Sequence, residues 1–170
     1  FDVQPIEFLP RAVALHPRQA GVDARHYVFR LTLLTRDSNE IQGEATATLR
    51  VLTAGLGEIA LDLATPRADG KGMTVASVTS PAGPVPFTHR DNRLRMTLPA
   101  GVAAGEDVSF TITYRGIPAD GLRLINNIHG ERTAFSENWY NRARQWLPMI
   151  DHPADKATGE FVVTTRAEYQ

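Results

Sequence analysis

The chain has 170 residues, 42 % of them hydrophobic, with a formal net charge of −1 and no cysteine. It is long and apolar enough to bury one real core, which excludes a disordered tail, and without cysteine it can hold no disulfide, thiolate nucleophile or cysteine-bound metal. Its charge gives no bias towards nucleic acid or an anionic membrane surface, and its apolar runs of a few residues fall far short of the ~20 that a membrane-spanning helix needs.

Residues 1–22, with Pro5, Pro10 and Pro17, read as an extended lead-in rather than a domain. The start at Phe1 shows neither an initiating Met nor a signal-peptide pattern, as expected of a processed chain or an engineered boundary. Beyond the lead-in the dominant signal is alternation with period two, the mark of strands buried on one face. Tyr27, Phe29, Leu31 and Leu33 fall on one side between His26 and Leu34. Ile41, Ala45, Ala47, Leu49 and Val51 do the same against Gln42, Glu44, Thr46, Thr48 and Arg50. The pattern returns in Ile59, Leu61 and Leu63, in Leu94, Met96 and Leu98, and most clearly in Val108, Phe110, Ile112 and Tyr114. A last instance, Phe161 and Val163, approaches the C-terminus, where Ala167-Glu168-Tyr169-Gln170 follows without cap or tail and looks cut.

Turn residues separate these runs. Arg36-Asp37-Ser38-Asn39 lies between the first two strands and Ala54-Gly55-Leu56-Gly57 between the second and third. Asp69-Gly70-Lys71-Gly72 precedes Met73-Thr74-Val75, and Arg90-Asp91-Asn92-Arg93 reads as a hairpin tip. Strands at this spacing predict a single all-β domain over 23–170, an antiparallel sandwich or open barrel. At most one or two short helical turns are expected, with Asn141 to Trp146 the candidate, stopped by Pro148.

The search for catalytic motifs is negative: H-E-x-x-H, a P-loop, G-x-G-x-x-G and G-x-S-x-G are all absent. The five histidines, His16, His26, His89, His129 and His152, are dispersed. His129-Gly130-Glu131 matches half of a deaminase signature whose other half needs cysteine, so a loop histidine is the expectation. His26 and His89 fall on strands, where hydrogen bonding or solvent exposure is expected rather than metal ligation, and Lys71 between two glycines reads as a turn.

Residues 135–156 differ in character. Both tryptophans, Trp139 and Trp146, lie there among charged residues and prolines, with no strand period. Rigid aromatic and charged groups concentrated in a loop are typical of a docking or site-forming surface, and equally of an irregular stretch pinned by core tryptophans.

Arg144-x-x-x-Pro148-x-x-Asp151-x-Pro153-x-x-Lys156-Ala157 resembles an element near the end of the N-terminal domain of the aminopeptidase N family of zinc metallopeptidases. Thr158-Gly159-Glu160-Phe161-Val162-Val163-Thr164 is similar to the strand that precedes that family's catalytic domain. His26-Tyr27-x-Phe29-x-Leu31-x-Leu33 followed by Ile41-x-Gly43-x-Ala45 resembles its opening pair of strands.

The resemblance implies a saddle-shaped β-structure lying against a downstream zinc domain. This fragment is then expected to carry no catalytic residue, metal or cofactor of its own, zinc and hydrolysis belonging to the parent enzyme. Its expected partners are its own downstream catalytic domain and, in the full-length protein, a peptide substrate. Neither nucleic acid nor a membrane segment is expected, and export to the periplasm is favoured over the cytoplasm. The family's Gln or Glu for the substrate's α-amino group falls, by counting back from Arg144, at Trp139, a departure from the pattern. Glu137, Asn138 and Trp139 are the resulting candidates for substrate binding, a carboxylate being suited to an ammonium. Arg144 and Asp151 are expected to form an internal ion pair that, with Lys156, fixes the loop. Two alternatives stand beside this assignment. One is a binding scaffold from an inactive homologue; the other is an unrelated sandwich that binds carbohydrate or protein on Trp139, Tyr140 and Trp146.

Overall fold

The computed structural model describes residues 19–33 and 38–167. The lead-in up to residue 18, Arg36 and Asp37 of the first turn, and the last three residues lie outside the described residues. In chain order the strands are β1 (Val22–Leu33), β2 (Ile41–Val51), β3 (Glu58–Asp62), β4 (Gly72–Ser80), β5 (Gly83–Pro84) and β6 (Phe87–Arg90). They continue as β7 (Arg93–Thr97), β8 (Asp107–Ile117), β9 (Leu122–Asn126), β10 (Arg132–Ser136) and β11 (Thr158–Thr164). One 3₁₀ turn, Ala143–Gln145, occupies the stretch where a helical turn is expected. Among the described residues no helix is long and apolar enough to cross a membrane.

The strands form a six-stranded sheet in the order β11-β1-β2-β8-β4-β5, a three-stranded sheet β3-β7-β6 and a two-stranded hairpin β9-β10. The fold is all-β, with no closed barrel. Its alternation becomes burial: Tyr27, Phe29 and Leu31, then Ile41 to Val51 at every second residue, then Phe110, Ile112 and Tyr114 enter one core with Ile59, Leu61, Leu94 and Met96.

Register explains why the central strand β2 carries small residues. Across the sheet the rows run Tyr27–Ala47–Phe110, Phe29–Ala45–Ile112 and Leu31–Gly43–Tyr114, large side chains flanking a small one each time. That order lets bulky neighbours interdigitate at interior packing density without voids. Gly43 is the extreme case, because a Cβ there would lie 2.3 Å from Cζ of Tyr114. The Asp91-Asn92 tip has φ of 54° and 56°, the two positive values of a type I′ turn, and so joins β6 to β7 as expected of a hairpin.

Two features differ from expectation. β11 runs parallel to β1 at the edge of an otherwise antiparallel sheet, and all seven of its residues are exposed, Phe161 and Val163 included. Its alternation does not become burial because β11 is outermost: only β1 flanks it, and Phe161 rests on Phe29 at 5.1 Å between ring centroids. The β9-β10 hairpin is not announced by periodicity. Leu122 and Leu124 point into the core, but Ile125 and Phe135 stand exposed on the other face, so apolar residues occupy both sides and the alternation is blurred.

Candidate functional site

The segment from Phe135 to Lys156 is built in two parts. The second part is stitched to the sandwich. Arg144, only 7 % exposed, donates from Nε and from its backbone N–H to Oδ2 of Asp151, both at 3.1 Å. Asp62, 5 % exposed at the end of β3, completes the cluster. It pairs with Arg93, lies 3.6 Å from Nη1 of Arg144, and accepts the Asp151 N–H at 3.0 Å. The backbone follows the same line, with Asp62 and Met149 exchanging hydrogen bonds of 2.8 and 3.2 Å. The Ile150 N–H donates to the Tyr27 hydroxyl at 3.0 Å, and the Ala24 N–H donates to Asp155 at 3.1 Å. Burial pushes the Tyr27 hydroxyl well above its ordinary pKa, so it serves as a neutral acceptor. Lys156 is exposed and does not join this cluster.

The first part is held at its base and free at its tip. The Glu137 N–H donates to the Gly121 carbonyl at 2.8 Å. The Glu137 carboxylate accepts the Trp139 N–H at 2.8 Å and pairs with Arg142, whose Nε lies 3.4 Å from Asp120. Asn138 turns inward: its Oδ1 accepts the indole N–H of buried Trp146 at 3.0 Å. Gly121 makes room for this base, with φ at 80° and a would-be Cβ 2.6 Å from the Arg142 carbonyl oxygen. At the tip, Trp139 is 77 % exposed and meets Tyr140 edge to face, with centroids 6.1 Å apart. A pocket of about 160 Å³ at the base of the loop is lined by Asp120, Gly121, Arg123, Phe135, Glu137 and Arg142.

The three sequence candidates therefore meet different fates. Trp139 offers a free aromatic face. Glu137 offers a half-exposed carboxylate already bonded to a guanidinium, so an incoming ammonium must compete with Arg142. Asn138 spends its carbonyl oxygen on Trp146. Because Trp146 is buried, a stacking platform of Trp139, Tyr140 and Trp146 does not exist; only the first two are exposed. Asp62 and Arg142 are the residues that sequence patterning did not single out. The signal for Asp62 was a carboxylate between Leu61 and Leu63 in the otherwise apolar run from Ile59 to Ala64.

His26, His89 and His129 sit apart from this site, His152 accepts the Ala154 N–H at 3.1 Å within the segment, and His16 lies outside the described residues. His26 bonds the Thr158 hydroxyl at 2.7 Å, and His89 Nε2 donates to the Leu63 carbonyl at 3.0 Å, with burial lowering its pKa. His129 occupies the exposed turn between β9 and β10, and Lys71 a turn closed by Asp69. Among the described residues no three His, Asp or Glu side chains converge as metal ligands, so the donor set for zinc is not found among them.

The profile of the Peptidase M1 N-terminal domain matches residues 23–170. The chain belongs to this family. An M1 zinc metallopeptidase from Deinococcus radiodurans shares 27 % identity at a TM-score of 0.71, over 88 % of this chain and 34 % of that one. An E323A mutant of an M1 zinc metallopeptidase from the same organism, bound to a Tyr-Ser-Ala substrate, gives 27 % and 0.68 over 87 % of this chain and 33 % of that one. Native yeast LTA4 hydrolase shares the fold at 18 % identity and a TM-score of 0.68, over 85 % of this chain and 23 % of that one. No curated protein matches the chain significantly by sequence. This M1 N-terminal domain thus spans about a third of the length of the Deinococcus enzyme.

Proposed function

We propose that the chain is the non-catalytic N-terminal domain of a zinc-dependent aminopeptidase. In this role it packs against a catalytic domain and helps shape the site that receives the free N-terminus of a peptide. The observation that carries the second half is the asymmetry of the Glu137–Arg142 loop. Its base is pinned by Gly121, Asn138 and Trp146, while an aromatic face and a carboxylate remain open to solvent. A rigid base under an exposed tip is what positioning a substrate group requires. Zinc and the water it activates are assigned to the catalytic domain. On this chain, Trp139 offers its exposed aromatic face to the substrate and Glu137 is the residue able to meet an ammonium, with Arg142 as its resting counter-ion.

The test is hydrolysis of aminoacyl-anilides by the zinc-replete full-length polypeptide. Trp139→Ala should raise KM about tenfold, the equivalent of ~1.4 kcal/mol of binding, with a far smaller change in kcat. Absence of hydrolysis in the wild-type polypeptide overturns the peptidase assignment. An unchanged KM in both Trp139→Ala and Glu137→Gln removes this loop from the substrate site.

A further inference from the structure

Strand β9 has two edges, and one of them is unused. The Asn127 N–H donates to the Glu131 carbonyl and the Glu137 N–H to the Gly121 carbonyl, each at 2.8 Å. In an antiparallel ladder the bonded pairs alternate, so the odd-numbered residues of β9 turn their backbone groups to β10. Those of Leu122 and Leu124 point the other way, where no described strand pairs with them. An open strand edge is a template for another extended chain. A pocket of about 270 Å³ is lined by residues 117–120 and 122–125 with Asn39 and Lys71, and by no residue of β10, so it lies on this open side.

The charge of the pocket is uneven. Lys71 and Arg123 have no acidic partner among the described residues, whereas Arg30, Arg50, Arg95 and Arg115 each have one. Asp120 is the one acid of the lining, and it is already committed. Its Oδ1 accepts the Gly121 N–H at 2.8 Å, and its Oδ2 lies 3.4 Å from Nε of Arg142. Asn39 spends its Oδ1 on the Arg132 guanidinium, which leaves its amide N–H groups as donors. Lys71 stands on a fixed turn: Asp69 accepts its backbone N–H at 3.0 Å, and its carbonyl accepts the Arg67 N–H at 2.8 Å.

We infer that this slot takes the carboxyl-terminal end of an extended peptide, which adds to β9 as a further strand while its carboxylate meets Lys71, Arg123 and the Asn39 amide. The inference rests on the proposed function and extends it to a substrate class, short peptides with a free carboxylate. The slot and the pocket beneath the 137–142 loop share Asp120 and Arg123, so a peptide whose ammonium meets Glu137 can continue along β9. Backbone pairing selects a peptide over a simple anion, and the two unpartnered cations select a carboxylate over an amide. The other open edge, β11, has Glu160 as its only charged residue, which is the wrong sign for a carboxylate.

Titration calorimetry on the zinc-stripped full-length polypeptide reads binding without turnover. Trialanine should bind about tenfold more tightly than its C-terminal amide, the ratio expected from one charge-assisted contact. Lys71→Met and Arg123→Met should each abolish that ratio. Lys156→Met, which removes an exposed cation outside the slot, should preserve it and so exclude a general effect of net charge. N-methylation of the central amide of trialanine removes a donor to the β9 edge and should weaken binding about tenfold. Equal affinity for acid and amide overturns the inference, as does a preference that survives in both Lys71→Met and Arg123→Met. An unweakened N-methyl peptide overturns strand addition and leaves only an anion pocket. Hydrolysis by the zinc-replete polypeptide without the carboxylate preference defeats the slot alone. The preference, lost in Lys71→Met, without hydrolysis supports the slot and defeats only the peptidase assignment.

Discussion

Glu137–Arg142 and Arg144–Asp155 are neighbours in sequence and similarly rich in charge, yet the fold treats them differently. In the second stretch the ionic groups are withdrawn from water: Asp62 and Arg144 side chains are 6 % and 8 % exposed, Asp151 11 %. Each has several partners, two guanidinium groups and a backbone N–H around Asp62, and two carboxylates near Arg144. In the first stretch Glu137 and Arg142 are each 41 % exposed, and their pairing is bathed in solvent. The same chemistry therefore does two jobs. Desolvated charge fixes where the segment lies, because losing any one partner strands the others; solvated charge can exchange partners at small cost. The two stretches are separated by Ala143 alone.

The largest effect is expected where the anchor breaks. Arg144→Met leaves Asp151 without its guanidinium and Asp62 with Arg93 alone, and should destabilise the chain by ~3–5 kcal/mol. Urea unfolding checks this as a lower midpoint at unchanged m. A loss below ~1 kcal/mol would place Arg144 with the surface pairs and erase the distinction between the two halves.

Asn138→Ala acts at the joint between them. It removes the acceptor of the Trp146 indole N–H and leaves a buried donor unpaired, at a cost of ~1–3 kcal/mol. Trp139→Phe as background leaves Trp146 as the only tryptophan, so its fluorescence reports the site directly. A red-shifted native spectrum in the double variant means that water has reached the indole, whereas an unshifted spectrum and unchanged stability mean that the joint does not need this bond.

Much of the sandwich was legible because burial on one face writes itself as alternation. β2 and β8 are nearly perfect in this respect, and even the type I′ tip at Asp91-Asn92 announces itself by residue type. Legibility ended where burial stopped being one-sided. β3 is buried on both faces, which hid Asp62 among apolar neighbours; β9-β10 is apolar on both faces; β11 alternates but has no cover on either. β4 carries a bulge between Val75 and Ser77 that shifts its period midway, so only its first residues stood out. In the 135–156 segment Arg144 does meet Asp151, as expected, while Lys156 stays exposed outside the cluster. Partner choice was not legible, since nothing in the string says that Asn138 turns to Trp146 or that Glu137 pairs with Arg142. Those are consequences of Gly121 bringing the end of β8 and the start of β9 under the loop.

The smallest effect on stability is expected from Arg142→Ala, and it sharpens the comparison most. Its ion pairs with Glu137 and Asp120 are solvated, so the loss should be ~0–1 kcal/mol and should shrink further as salt screens the wild-type pair. Function should respond in the opposite sense. Freed of its guanidinium, Glu137 still accepts the Trp139 N–H and keeps its place, but its second oxygen becomes available to an ammonium. In the full-length polypeptide, KM for aminoacyl-anilides should therefore fall while kcat holds, and the double variant with Glu137→Gln should lose the gain. A rise in KM from Arg142→Ala would mean instead that the pair is itself the binding surface, with the guanidinium contributing as a contact rather than as a competitor.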